Sequence, residues 1–219
     1  FKAAAAGTPV RIVSGSNTQD ITVGTDWKGT ASYTANAPTM TIYGDLTSFD
    51  CGGNGANITA LDPSHNTQLK RLYCSSNSLS RLDVSKNTQL IGLYCSDNSF
   101  STSALDDIYC ALPVRQAPDS ALIEPVYNSS SPDIATVLAT NAQNAIAKNW
   151  KVQYYYDDTD IPATTGSYVC PAPEPNMNSY ITLTVAKDSA IWLNFKAAAE
   201  GTPVRIVSGS NTQDITVGT

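Results

Sequence analysis

A nine-residue phrase occurs three times in the first half of the chain and constrains its fold more than any other feature. The copies are residues 46–54, 69–77 and 90–98, which read LTSFDCGGN, LKRLYCSSN and LIGLYCSDN. Their starts lie 23 and 21 residues apart. All three have leucine at the first position, leucine or phenylalanine at the fourth, cysteine at the sixth and asparagine at the ninth. A regular spacing of this length predicts stacked supersecondary units.

The phrase matches the leucine-rich repeat pattern L-x-x-L-x-L-x-x-N, with cysteine in the last apolar position. Each copy is expected to form a short parallel strand whose apolar and cysteine side chains face inward. The sequence therefore predicts an α/β fold. This fold is a short leucine-rich-repeat solenoid of about three repeats (46–100), with an N-terminal antiparallel β-unit (1–45) and a C-terminal αβ cap (101–170).

Two kinds of residue are expected to form ladders through the repeats. The cysteines should stack inside as buried free thiols, with a disulfide or a soft-metal site as the alternative. The asparagines should satisfy backbone groups in the turn after each strand. Free thiols would indicate a reducing compartment or an anaerobic habitat. The predicted ladder residues are Cys51, Cys74, Cys95, Asn54, Asn77 and Asn98.

The outward positions of the same strands are candidates for binding. Aromatic and arginine side chains dominate protein-binding hot spots, and repeat proteins bind on the strand face. Under the alternative interpretation, the two tyrosines form a cross-strand pair that only stabilises the sheet. The predicted binding residues are Arg71, Tyr73, Tyr94, Asp50, Ser75 and Ser96.

Alternating and periodic segments flank the repeats. Serine before an apolar stripe and proline after it predict a helix over 101–112, with Ser101 or Ser103 as N-cap. Pro132 is expected to open a second helix that runs to about Lys148. Trp150 is interpreted as a core anchor. Strands are predicted at Thr8–Ser14, Asp20–Gly24, Ala31–Ala35, Met40–Tyr43, Ala121–Tyr127 and Trp150–Tyr156.

The end of the chain repeats its beginning. Residues 195–219 match residues 1–25 at 24 of 25 positions, after a proline-rich linker at 171–176 and two predicted strands at 180–187 and 190–195. Three interpretations stay open: a tandem array of a 194-residue unit cut out of register, an engineered chain, or C-terminal strands that pair with an N-terminal part. Partial β-domains at 1–45 and 177–219 predict possible self-association by strand complementation.

Composition and motifs exclude several function classes. The net charge is −6 and no cluster of Lys and Arg exceeds two residues, which disfavours nucleic acid and anionic membranes as partners. No apolar run is long enough to span a membrane. The single histidine, His65, has no oriented partner, and the acidic run at 157–160 lacks the glycine and glutamate of an EF-hand loop. We therefore predict a protein that is not an enzyme and has neither cofactor nor metal site.

The chain resembles bacterial cell-surface leucine-rich repeat proteins of the internalin-like and BspA-like type. The phrases that carry the resemblance are LYCSSN at 72–77, LDVSKNT at 82–88 and AKNWKV at 147–152. Members with cysteine in the strand are similar to surface proteins of Gram-negative anaerobes. The resemblance implies a secreted or cell-surface module that functions in adhesion or in binding an unidentified host or partner protein. The alternative function is a structural spacer whose β-ends assemble chain to chain.

Overall fold

The structure is a computed structural model that describes residues 1–27, 32–116, 121–171, 182, 202–208 and 210–217. The chain divides into two compact units, Phe1–Cys170 and Pro171–Thr219. The division falls where the proline-rich linker was predicted, although residues 172–176 lie outside the described part. The finer domain limits at residues 45, 100 and 176 stay predictions.

The described elements are eleven strands and three helices. The helices are α1 Thr102–Ala111, α2 Ile134–Leu138 and α3 Gln143–Ile146. The strands are β1 Lys2–Ala3, β2 Thr8–Ser14, β3 Asn17–Val23, β4 Thr41–Tyr43, β5 Leu46–Asp50, β6 Arg71–Tyr73, β7 Gly92–Tyr94, β8 Ala121–Val126, β9 Trp150–Tyr154, β10 Thr202–Ser208 and β11 Asn211–Val217.

One six-stranded sheet organises the first unit, in the order β1-β5-β6-β7-β8-β9. Strands β5 to β9 are parallel, and β1 lies antiparallel at the edge beside β5. The three repeat phrases supply β5, β6 and β7. Their register aligns Phe49 with Leu72 and Leu72 with Leu93. Because successive side chains alternate between faces, this register places the apolar side chains of all three strands on one face.

The predicted fold class, a short leucine-rich-repeat solenoid of about three repeats with an N-terminal antiparallel β-unit and a C-terminal αβ cap, is wrong. The chain is a small α/β fold made mostly of strands in mixed sheets, with few helices. Pairing continues from the repeat strands into β8 and β9, so the predicted cap belongs to the same sheet. The physical reason is that three copies are too few to enclose a core of their own: Leu72 and Leu93 share one core cluster with Ile108, Ile123 and Trp150.

The asparagines that end the repeat phrases connect neighbouring strands. Asn77 Nδ2 donates to the carbonyl oxygens of Cys74 at 2.9 Å and of Cys51 at 3.0 Å. Asn98 Nδ2 donates to those of Cys95 at 3.0 Å and of Cys74 at 2.9 Å. Each of these side chains therefore satisfies carbonyls in its own turn and in the turn of the preceding copy, which keeps the strand ends in register.

A second asparagine series on the far side of the repeats was not predicted. Asn87 is completely buried, and its Nδ2 donates to the carbonyls of Pro63 and Asn66, both at 2.9 Å. Asn66 Nδ2 donates in turn to Gly44 O at 3.1 Å. Asn54, in contrast, is exposed and bonds within its own turn. The turns behind the strands are thus fixed by buried amides as well as by apolar packing.

The predicted second helix from Pro132 to Lys148 is wrong. Its sequence forms two short helices, α2 and α3, separated by a turn around Thr140. The turn is held by groups distant in sequence: Asp106 Oδ1 accepts the N–H of Asn141 at 2.8 Å, and Thr164 Oγ1 accepts that of Ala142 at 3.0 Å. These tertiary hydrogen bonds replace the helical ones and stabilise the break.

The first helix and the tryptophan anchor agree with the sequence. Ser101 caps α1, its side chain accepting from Ala104 N at 3.2 Å. Trp150 is 2% exposed, and its Nε1 donates to Pro113 O at 2.8 Å. Asp106 lies beyond the first turn of α1. It is buried where it bonds the α2–α3 turn.

The N-terminal residues form a separate three-stranded antiparallel sheet, in the order β3-β2-β4. Gly15, at the first position of the two-residue turn between β2 and β3, has φ +58°, a conformation that favours glycine. The strand predicted at Ala31–Ala35 is wrong for residues 32–35, which are irregular; residue 31 lies outside the described residues. The strands predicted at 180–187 and 190–195 also lie outside them, except for Thr182.

The second unit contains a copy of the first hairpin. Strands β10 and β11 pair from Thr202↔Val217 to Ser208↔Asn211, the register of β2 and β3 shifted by 194 residues. In both hairpins an arginine Nε donates to an aspartate Oδ1 at 2.7 Å, from Arg11 to Asp20 and from Arg205 to Asp214. The 25-residue duplication therefore encodes the same local structure twice.

Two of the five cysteines form a disulfide, which was not predicted for these two residues. Cys110, at the end of α1, is bonded to Cys170. The three repeat cysteines are free thiols; Cys74 and Cys95 are completely buried and Cys51 is half-buried. Because stable disulfides form in oxidising surroundings, the bond disagrees with the reducing compartment inferred from free thiols.

Candidate functional site

A cleft of about 310 Å³ lies where the parallel strands of the main sheet end. Its walls come from the last residues of β5, β6 and β7 and from the segments that follow β5 to β9. Ligands of parallel α/β sheets bind outside the carboxyl ends of the strands, because the loops that begin there converge. The lining residues are Asp50, Gly52, Gly53, Tyr73, Ser75, Ser76, Tyr94, Ser96, Asp97, Tyr127 and Tyr155.

Aromatic rings dominate this tyrosine cleft. Tyr73 and Tyr94, in register on β6 and β7, are stacked with centroids 4.1 Å apart and planes 4° apart. The Tyr127 and Tyr155 centroids are 5.7 Å apart. Trp27 extends the row outside the cleft, with its ring edge-on to Tyr73 at 5.4 Å. Such pairs form rigid apolar walls at low conformational cost.

Gly92 makes room for the stacked ring of Tyr94. A Cβ at Gly92 would lie 3.1 Å from Tyr94 Cε2 and 3.2 Å from Arg71 Cγ. Burial is the main cause, and a hydrogen bond to Tyr94 the second, that raises the pKa of Tyr73, so the Tyr73 hydroxyl stays protonated at physiological pH. The stacked pair is therefore a fixed surface.

A buried carboxyl group lies in line with the stacked pair. Glu124 on β8 is in register with Tyr94, on the same face of the sheet, and only 2% exposed. Burial, with the nearby Asp158 carboxyl as a second cause, raises the pKa of Glu124 to about 8. Gln153 fixes the Asp158 loop, its Nε2 donating to Asp158 O at 2.7 Å and to Asp160 Oδ1 at 3.0 Å. At neutral pH Glu124 is thus mostly protonated.

Most of the predicted binding residues come together in the cleft. Asp50, Tyr73, Ser75, Tyr94 and Ser96 all line it. Ser96, expected to be exposed, is instead only 1% exposed.

Arg71 is exposed at the start of β6 and does not line the cleft. Sequence reasoning missed Asp97, Ser76, Tyr127 and Tyr155. Asp97 and Ser76 directly follow predicted residues in the repeat phrases. Tyr127 and Tyr155 follow strands that lack the phrase, and the only signal for them is tyrosine just after a buried strand.

Neither known families nor known structures identify this cleft. No protein-family model, curated protein or solved structure matches the chain significantly. Within the described ranges, no helix is long and apolar enough to cross a membrane. Among the same residues, no group of three or more His, Cys, Asp or Glu side chains is arranged to hold a metal ion.

Proposed function

We propose that the unit Phe1–Cys170 is a non-enzymatic protein-binding module whose ligand occupies the tyrosine cleft. The observation that carries the proposal is the stacked pair Tyr73–Tyr94 in a concave surface shared with Tyr127 and Tyr155. Tyrosines arranged in this way bind protein side chains well because they offer large area, a polar tip and little loss of rotamer freedom. The Cys110–Cys170 disulfide supports an extracellular or cell-surface location.

Replacing both Tyr73 and Tyr94 with alanine should weaken ligand binding at least about thirtyfold, the loss typical of one hot-spot residue. Ligands would be selected from a phage-displayed peptide library against the full chain, and their Kd measured by isothermal titration calorimetry. Tyr43→Ala is the matched control, because Tyr43 is an exposed tyrosine on β4 outside the cleft. Selected peptides that bind the double variant as tightly as the wild type would contradict the proposal.

The duplicated hairpin favours a second candidate function, assembly of chains through β4. In the first unit β2 pairs with β4, and Val10 and Ile12 are 1% and 4% exposed. Their counterparts Val204 and Ile206 are only half-buried. Since the two hairpins have the same strand sequences and register, β10–β11 of one chain can replace β2–β3 on β4 of the next.

Assembly of this kind should depend on the apolar face of β10. The molar mass of the full chain, measured by light scattering, is expected to rise with protein concentration. Ile206→Asp should keep the molar mass at the monomer value, because a carboxylate cannot replace the buried side chain of Ile12, which is in register with Ile42 on β4. Ser210→Asp, in the turn of the same hairpin, is the control. A wild-type chain that is monomeric at every concentration rules out this function.

A further inference from the structure

The tyrosine cleft is acidic. Asp50 and Asp97 line it, and none of its lining residues in the described chain is basic. Both carboxylates are fixed: Asp50 Oδ1 accepts the N–H of Gly52 at 2.9 Å, and Asp97 Oδ2 accepts the hydroxyl of Ser76 at 3.3 Å. Two carboxylates held around a concave surface create a negative potential that attracts a cation.

Two serine hydroxyls at the cleft lack hydrogen-bond partners within the described structure. Ser96 is 1% exposed, and both its Oγ and the Oγ of Ser75 are buried without a partner. Their backbone carbonyls are already used, since Ser96 O accepts from Ser76 N and Ser75 O from Gly53 N, both at 2.9 Å. A buried hydroxyl left without a hydrogen-bond partner is destabilising. The two Oγ atoms are therefore ready to accept hydrogen bonds from a ligand.

The aromatic walls favour a planar cation over a compact one. Guanidinium stacks on aromatic rings, is weakly hydrated and carries five N–H donors, whereas ammonium is strongly hydrated. The cleft offers the complementary set, namely tyrosine rings, the carboxylates of Asp50 and Asp97, and the hydroxyls of Ser75 and Ser96. Its volume of about 310 Å³ is at the small end of the usual range for ligand sites and suits one long side chain.

We propose that the cleft receives a positively charged side chain of the partner protein, an arginine in preference to a lysine. The inference rests on the proposed function and specifies the chemistry of its ligand. Asp50 and Asp97 neutralise the guanidinium, and Ser75 and Ser96 accept its N–H groups. The same electrostatic attraction makes binding weaker as salt concentration rises.

The proposal can be tested by NMR titration of the full chain with blocked tripeptides. Gly-Arg-Gly should shift the amide resonances of Ser76 and Asp97 to saturation, with a Kd at least about tenfold lower than that of Gly-citrulline-Gly, its uncharged isostere. The double variant Asp50→Asn/Asp97→Asn should raise the Kd of Gly-Arg-Gly at least about tenfold. Asp45→Asn, which removes a charge just before the opposite end of β5, should change it less than about twofold.

Several outcomes would overturn the proposal. Recognition by charge is excluded if Gly-Arg-Gly does not bind or if the citrulline peptide binds with equal affinity. It is also excluded if the double asparagine variant binds Gly-Arg-Gly as tightly as the wild type. Tighter binding of spermidine than of Gly-Arg-Gly would indicate a free polyamine, and binding of maltose alone would indicate a carbohydrate. The library peptides could still require Tyr73 and Tyr94 but bind the Asp50→Asn/Asp97→Asn variant as tightly as the wild type. In that case the protein-binding function stands and only this inference fails.

Discussion

Replacing Gly166 with alanine should lower the free energy of unfolding of the first unit by about 3 kcal/mol. Gly166 packs directly on the backbone at the break between α2 and α3. An added Cβ would clash with Ala139 O and the Thr140 carbonyl carbon, and would lie 2.7 Å from Thr140 O. These are backbone atoms, so no side-chain rotation relieves the clash.

The hydrogen bonds around Gly166 make the site less able to adjust. Gly166 N donates to Thr140 O at 2.9 Å and Thr165 N donates to Leu138 O at 2.8 Å, which ties the segment to the end of α2 and to the break itself. Thermal unfolding followed by circular dichroism should show a decrease in Tm of about 10 °C. Gly24→Ala is the control, since its Cβ would meet only Ala6 Cα at 3.8 Å. A Tm for Gly166→Ala within about 2 °C of the control would contradict this account.

Sequence signals predicted those strands and helices that are determined by residues within or next to the element itself. Alternation and turn residues indicated β2, the repeat phrase indicated β5 to β7, and Ser101 with Pro113 indicated α1. The break between α2 and α3 could not be predicted in this way. Its stabilising groups, Asp106 and Thr164, lie 35 and 22 residues from the N–H groups that they accept.

The fold class failed for a related reason. A repeat phrase predicts parallel strands and their inward side chains, but not what lies beyond the last copy. Here Leu93 aligns with Ile123 on β8, and Ile123 with Val152 on β9. Strands β8 and β9 lack the phrase, yet their buried β-branched residues extend the same sheet. Tertiary pairing therefore joins the repeats and the predicted cap in one sheet.

The part of the candidate site that lies in the repeat phrases could be predicted from the sequence, and the part outside them could not. Tyr73 and Tyr94 share one position in the phrase, so their stacking follows from register alone. Tyr127 and Tyr155 reach the cleft because β8 and β9 join the sheet, which the phrase does not encode. Ser96 was expected on an exposed strand face and is instead buried in the lining of the cleft that Tyr127 and Tyr155 also line.

Removing the disulfide with Cys110→Ser/Cys170→Ser should destabilise the first unit by about 4 kcal/mol in the chain-entropy description. The bond joins residues 60 apart in sequence, so its loss releases a long loop in the unfolded chain. It also secures the segment that ends the unit. There, Tyr168 O accepts from Asn141 Nδ2 at 2.8 Å and from Asn144 Nδ2 at 2.9 Å.

The measurement is urea unfolding with and without dithiothreitol. The wild type should lose stability when reduced, whereas the double serine variant should be insensitive to the reductant.

The repeat thiols provide an internal control: burial raises the pKa of Cys51 to about 12, and it also raises the pKa values of Cys74 and Cys95. Cys74 and Cys95, which are completely buried, should therefore react with thiol reagents only after unfolding. Equal stability of the wild type in both redox states would contradict a structural role for the bond, and with it the support that the disulfide gives to an extracellular location.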